Sequence, residues 1–354
     1  MNKAILPNFY VLSLRAERRS PAYACIVEYE DVLIKCLDAV RIEPQQLQVL
    51  QAIKLSHQPN YLFVTGISMG DVIDSLKYLK PYLGAFTAIY AYVFDSIIMQ
   101  HEFDTPAWKK SFSKFYKLSK KITHLFVPAD FSVKEFEQCY QIPVSFMPMA
   151  ADVLKHGGAT TSKAIDVMGY GRQAPVCSDL LSLAFNQPHT NRIYYHTDHF
   201  NIPTINDTYA HRRFFWQLLR ASKIALAFDA LAANNNNRFR FSFVGQRWFE
   251  SAAAGCVIVG KRPTCPEMNI LFPQTQSTID IPDTPSEIIP FFEGLLADSA
   301  MLTNIGRSNY GYALQHHDWR RRVATMLDVA QIAYPASLIA ELKALADACD
   351  RFKA

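Results

Sequence analysis

The chain has 354 residues, of which 50% are hydrophobic and 19% charged, with a formal net charge of +4. That length exceeds one ordinary core and points to two domains, and the composition excludes a disordered chain. The slight positive balance is far from that of a nucleic-acid binder, and no basic segment is interleaved with stacking aromatics, so no nucleic-acid partner is expected.

Short β-branched or aromatic runs alternate with longer amphipathic ones. Strands are predicted over Phe9–Leu14, Tyr61–Gly66, Phe86–Phe94, His124–Pro128 and Val144–Met147, and helices over Pro44–Ser56, Asp71–Tyr82, Trp108–Lys121 and Ser132–Tyr140. Small and polar residues from Ala151 to Lys163 then break the rhythm and read as a linker. The alternation restarts with strands Ile165–Met168, Arg192–Tyr195, Lys223–Phe228, Cys256–Gly260 and Thr278–Ile281. Helices are predicted from about Val176, over His211–Ala221, Arg247–Gly255, Ser286–Ala297 and Met301–Gln315, and in a Pro-started tail from Tyr334 to Ala354. Alternating strands and helices argue for parallel sheets covered on both faces. The expected architecture is α/β, with two Rossmann-like domains facing a central cleft. Domain limits are predicted at 1–150, a linker at 151–163, a second domain at 164–333 and a terminal helix at 334–354.

Seven cysteines are scattered without a CxxC. That pattern argues against a disulfide framework and a structural zinc site, and for a reducing compartment. The opening Met-Asn-Lys-Ala-Ile-Leu-Pro lacks a signal peptide's apolar core, and nowhere do about 18 apolar residues run uninterrupted. A cytoplasmic protein is expected. His189, His196, Asp198 and His199 crowd one region, but their spacing fits no helical pair and a strand would turn neighbours to opposite faces, so no metal site is expected. Trp108–Ile122 separates an apolar arc from a lysine arc. It packs on the sheet as an ordinary amphipathic helix, or touches an anionic membrane peripherally.

The richest stretch is Arg247-Trp-Phe-Glu-Ser-Ala-Ala-Ala-Gly, followed by Cys-Val-Ile-Val259. Arg247 can meet a phosphate through its planar fork, and Glu250 can accept two hydrogen bonds from a vicinal diol. Together these describe a nucleotide ribose. The alternative is a surface glutamate favoured by the helix dipole. Asp95 follows the apolar run ending at Phe94, at the carboxyl edge of a strand. It serves either as a base for an acceptor's proton or as a cap for the next helix, and His101 is a second candidate of the same kind. His316-His317-Asp318 reads as a helix turn capped by Asp318, with His317 as a candidate phosphate contact.

With Ile165-Asp-Val-Met-Gly-Tyr-Gly-Arg172, Ser222-Lys-Ile-Ala-Leu226, Arg247-x-Phe-Glu250 with Ala254-Gly255, and Ile305–Asp318, the C-terminal half resembles the GT-B glycosyltransferases. The resemblance is to the group-1 transferases with a CgeB-like C-terminal domain. The N-terminal half is similar mainly through Met147-Pro-Met-Ala-Ala-Asp152.

The resemblance implies transfer of a sugar from a nucleotide diphosphate donor, with a UDP-sugar expected, to an acceptor held by the N-terminal domain. It implies no metal or other cofactor. Gly169, Gly171, Arg172 and Arg247 would then hold the diphosphate, Glu250 the ribose hydroxyls, and His196 would line the donor pocket. Arg172 reads equally as an exposed loop residue. The pattern departs at Ser242, where many relatives carry a second glutamate, and after Arg172, where a basic residue is missing. These departures leave two rival functions open, a catalytically degenerate nucleotide-binding scaffold and a GT-B sugar epimerase.

Overall fold

A computed structural model describes residues 7–12, 21–43, 51, 53, 58–95, 116–160, 162–171, 173–197, 205–232, 241–274 and 276–353, without the side chain of residue 22. The chain divides into two compact units, Met1–Pro148 with Arg320–Lys343 and Met149–Trp319 with Ala344–Ala354.

The first unit holds a six-stranded, all-parallel sheet. Its strands are β1 (Asn8–Leu12), β2 (Val40–Ile42), β3 (Asn60–Gly66), β4 (Ala88–Val93), β5 (His124–Val127) and β6 (Val144–Phe146), in the order β2-β1-β3-β4-β5-β6. Strand β4 is buried along its whole length, as a strand covered on both faces should be. Helix α1 (Ala24–Leu37) and strand β2 were not predicted from the sequence. The helix is strongly apolar but carries three acidic side chains, two of them buried (Glu28 and Glu30), which obscured its stripe. Glu30 is satisfied by the Thr65 hydroxyl at 2.7 Å. Helix α2 (Met69–Tyr78) opens on a capping box between Ser68 and Asp71, and helix α3 (Ser132–Tyr140) falls where its pattern predicts.

The second unit begins where a linker was expected. Asp152 accepts from the Lys155 amide and caps the short helix α4 (Val153–His156). Gly158 donates its amide to Ala253, and the Lys163 ammonium donates to the Ser222 and Ala254 carbonyls. Small residues here allow close packing on the unit rather than freedom from it.

Five parallel strands follow: β7 (Ile165–Gly169), β8 (Tyr194–His196), β9 (Ser222–Phe228), β10 (Val257–Lys261) and β11 (Ile279–Asp280), in the order β11-β10-β9-β7-β8. The intervening helices are α5 (Pro175–Phe185), α6 (Thr208–Arg220), α7 (Gln246–Ala253), α8 (Pro266–Leu271), α9 (Pro285–Ala297) and α10 (Ser299–His316). Val167, Ile224, Leu226, Val257 and Val259 form the core with Phe185, Phe292 and Ile305 from the helices.

Helices α11 (Trp319–Ala330) and α12 (Ala336–Lys353) close the chain. Residues 320–343 belong to the first unit, although the sequence reading ran the second domain to 333. Their partners are remote in sequence: Met326 receives the Tyr29 hydroxyl, Arg322 donates to the Pro148 carbonyl, and Ser337 donates to the Cys36 carbonyl. Glu341 ties the segment down by accepting from Arg320 and Lys35, each at 2.8 Å. No single helix among the described residues is long and apolar enough to cross a membrane.

Candidate nucleotide site in the second unit

In the second unit the chain passes from β7 outward to β8, then returns to β9 on the other side of β7. The loops after β7 and β9 therefore diverge at the carboxyl edge, and ligands of open α/β sheets bind where the strand order reverses in this way.

The loop after β7 is the Gly169-Tyr170-Gly171 turn. Gly169 is fixed by packing: a Cβ there would lie 2.7 Å from the Tyr194 hydroxyl and 3.0 Å from Gln173 Oε1. Its smallness admits those side chains, a different reason from the close phosphate approach expected of it. Gly171 has φ +62°, a left-handed conformation that glycine adopts without penalty, and it is exposed. Gln173 closes the turn by donating to the Tyr170 carbonyl at 2.7 Å. Arg172 lies outside the described residues.

Helix α7 supplies the facing wall. Gly245 opens it without a side-chain cap, and the positive end of its dipole is the end that suits an anion. The half-buried Arg247 donates to the Phe228 carbonyl at 2.9 Å and to the Tyr170 carbonyl at 3.5 Å. Its Cδ lies 3.8 Å from where a Gly171 Cβ would stand. One guanidinium thus links the ends of β7 and β9 at the switch point. Tyr170 donates its hydroxyl to the Arg247 carbonyl and shares a second hydrogen bond with the Ser251 hydroxyl, and burial, then the Glu250 charge, pushes the phenol well above its usual range.

Glu250 is not the surface glutamate of the alternative reading. It is 3% exposed and meets Arg212, 8% exposed, at 2.6 Å. Sequence reasoning missed Arg212, although a signal existed. In Thr208–Arg220 it shares a helical face with Phe215 and Trp216, and an arginine inside an apolar stripe calls for a buried partner.

Ser242, the departure from the relatives' glutamate, is buried and spent. Its hydroxyl oxygen accepts from the Thr264 amide at 2.8 Å and the Cys265 amide at 3.3 Å, and its proton goes to Asp229. Asp229 was also missed. It is buried at the end of β9, and loss of hydration raises its carboxyl despite hydrogen bonds from Ser242 and from the amides of Ala230, Leu231 and Phe243.

His196 is exposed at the end of β8, paired with Gly169 across the ladder and stacked on Tyr194. His317 is buried, bonded to the Leu271 carbonyl at 2.7 Å and packed against Phe249 and Phe272, so it is core rather than a phosphate contact. Asp318 reaches the Leu154 amide at 2.9 Å, beyond the local cap expected of it.

In the first unit the strand order reverses between β1 and β3. Asp71 accepts from the amides of Ile67 and Ser68 beside that point. Asp95 is half-buried just past β4, its amide bonded to the Ile67 carbonyl at 2.8 Å. His101, Asp198, His199 and most of Trp108–Ile122 lie outside the described residues. Among the described residues no group of three or more His, Cys, Asp or Glu is placed to hold a metal ion.

A model of the Glycosyl transferase-like family matches residues 194–328, which include Arg212, Arg247 and Glu250. Among solved structures, the chain is similar to Anabaena Alr3699/HepE in complex with UDP-glucose, with a TM-score of 0.56, 10% identity, and coverage of 92% of this chain and 99% of that one. It also resembles the pneumococcal O-GlcNAc transferase GtfA in complex with UDP and GlcNAc, with a TM-score of 0.46, 11% identity, and coverage of 81% and 60%. A third is TarM, with a TM-score of 0.45, 11% identity, and coverage of 76% and 54%. No curated protein sequence matches the chain. The fold is that of the GT-B glycosyltransferases, as the two parallel sheets and the likeness to HepE show.

Proposed function

We propose that this chain is a GT-B glycosyltransferase of the CgeB-like group, taking a sugar from a nucleotide diphosphate donor and passing it to an acceptor bound by the first unit. The observation that carries the reading is the meeting of the Gly169–Gly171 turn and Arg247 at the switch point of the second sheet, on the helix that also carries Glu250. Arg247 and Glu250 also lie within the segment that matches the glycosyltransferase-like family. The HepE complex makes UDP-glucose the first donor to test.

In the reaction, the bond between the sugar's anomeric carbon and the diphosphate breaks while an acceptor oxygen bonds to that carbon. Negative charge grows on the leaving diphosphate, and preorganised donors stabilise it. Arg247, Arg172 and the first amides of α7 are assigned that task, which needs no metal ion. Glu250 accepts from the ribose hydroxyls. Its pairing with Arg212 does not exhaust it, because a carboxylate has about four acceptor positions. Asp95 is assigned as the base that takes the acceptor's proton, with His101 its alternate, and His196 as a contact at the donor's edge. Catalysis in the cytoplasm is part of the proposal.

Ser242 favours a second reading, nucleotide binding without transfer, because its hydroxyl is already committed to Thr264, Cys265 and Asp229. The test is a thermal-shift titration with UDP, GDP, dTDP and CMP, followed by release of UDP from UDP-glucose across an acceptor panel. A shift from one nucleotide, with transfer to an acceptor, is expected. Binding without turnover selects the second reading, turnover of donor without acceptor selects an epimerase, and no binding overturns all three.

A further inference from the structure

Glu250 is far from the usual surroundings of a charged group. A carboxylate that is 3% exposed would ordinarily take up a proton rather than bear the loss of its hydration. A protonated carboxyl turns one oxygen into a donor, and it then suits a diol, which presents two O–H donors, poorly. The site therefore needs something that keeps Glu250 ionised and in one rotamer.

Arg212 supplies that. Its Nη2 lies 2.6 Å from Glu250 Oε1. Its guanidinium, itself stripped of water, lies over the Phe215 ring at 4.4 Å and within 5.6 Å of the Trp216 ring, so aromatic faces replace part of its hydration. Those rings are held in turn. Trp216 stacks on His156 at 5.3 Å with planes 5° apart, and Phe215 meets Tyr170 edge-on at 5.0 Å. Tyr170 belongs to the glycine turn that Arg247 touches. Helix α6 is fixed at its start by the Asp207 side chain, which accepts from the Ala210 amide at 2.9 Å. A continuous packed layer thus runs from α6 through Arg212 to Glu250 and to the phosphate-facing turn.

We infer that Arg212 is a positioning residue: it holds the Glu250 carboxylate ionised and oriented, and thereby sets the site's preference for a ribose over a 2′-deoxyribose nucleotide. The inference rests on the nucleotide-binding reading above. It goes beyond that reading by locating ribose selectivity on a residue of a different helix from the one that carries Glu250.

The test is calorimetric titration of the full chain with UDP and with 2′-deoxy-UDP, using wild type, Arg212→Met and Arg212→Lys. If the wild type takes a guanine nucleotide instead, GDP and 2′-deoxy-GDP replace them. The wild type is expected to prefer the ribonucleotide by about ten-fold or more, the worth of one hydrogen bond to a charged acceptor. The Met variant is expected to lose most of that ratio by weakening the ribonucleotide alone. The Lys variant, which keeps the charge without the planar fork, is expected to fall between. Circular dichroism confirms that each variant is folded, and the Lys variant carries the test if the Met variant unfolds. A wild-type ratio in the folded variants overturns the inference and leaves nucleotide binding intact. A wild type that binds no nucleotide overturns both.

Discussion

The Arg212–Glu250 pair makes a stability prediction of unusual sign. Both side chains are less than 10% exposed and their charged atoms are 2.6 Å apart. Two such ions forgo several kcal/mol of hydration each, and their attraction returns it only while both are present. Glu250→Gln strands the guanidinium among Phe215, Trp216 and the amide, and Arg212→Met strands the carboxylate. Each single change is expected to lower unfolding free energy by about 3–5 kcal/mol. The double change Arg212→Met/Glu250→Gln removes both charges and leaves side chains of similar volume, so it is expected to cost less than either single change, a coupling of at least about 3–5 kcal/mol. Urea unfolding, followed by tryptophan fluorescence and by circular dichroism, gives the three values. Trp216 sits beside the pair and reports its unit, and two probes are needed because a two-unit chain can unfold in steps. Additive costs, with the double variant as damaged as the singles summed, would refute the reasoning. The comparison also guards the nucleotide titration: a lost thermal shift in a Glu250 variant indicts the ribose contact only if the double variant is stable and still fails to bind.

Other positions give independent checks. Gly171→Ala places a side chain at φ +62° and is expected to cost about 1–2 kcal/mol while weakening nucleotide binding, read by unfolding and by titration. Gly306→Ala drives a Cβ to 2.3 Å from the Gly255 carbonyl, where α10 crosses the end of α7; a destabilisation of about 1–3 kcal/mol is expected, and unchanged thermal unfolding would contradict the packing. Burial by itself would raise the Glu341 carboxyl, but hydrogen bonds from Lys35 and Arg320 outweigh it and hold the group below its ordinary 4.5. A lowered folded value gives stability that is present above 4.5 and is lost as pH falls through the folded value. Glu341→Gln is therefore expected to cost about 2 kcal/mol at neutral pH, with the gap closing below the ordinary value, and urea titrations at several pH values follow it.

The alternation of strands and helices was legible because its causes are local. Side chains three or four apart share a helix face, two apart share a strand face, and caps and glycines mark the ends. Helices Ser132–Tyr140 and Pro285–Ala297 fall within a residue of their patterns for that reason. The helix that carries Arg247 and Glu250 was legible too, since its small residues, its closing glycine and the β-branched strand that follows are all local features. Helix Ala24–Leu37 escaped because Glu28 and Glu30 lie buried in it, and Glu30 is met there by the hydroxyl of the remote Thr65.

By itself, then, the sequence determined that this is an α/β chain and that an arginine and a glutamate open one helix beside a strand. Tertiary structure alone decided the strand order that puts the Gly169–Gly171 turn next to that helix. It also paired Glu250 with Arg212, 38 residues earlier, consumed Ser242 in a loop, and returned 320–343 to the first unit. Periodicity is a property of neighbours along the chain. Which strands lie side by side, and which buried charge meets which, is settled only when the whole core closes and every desolvated group must find a partner.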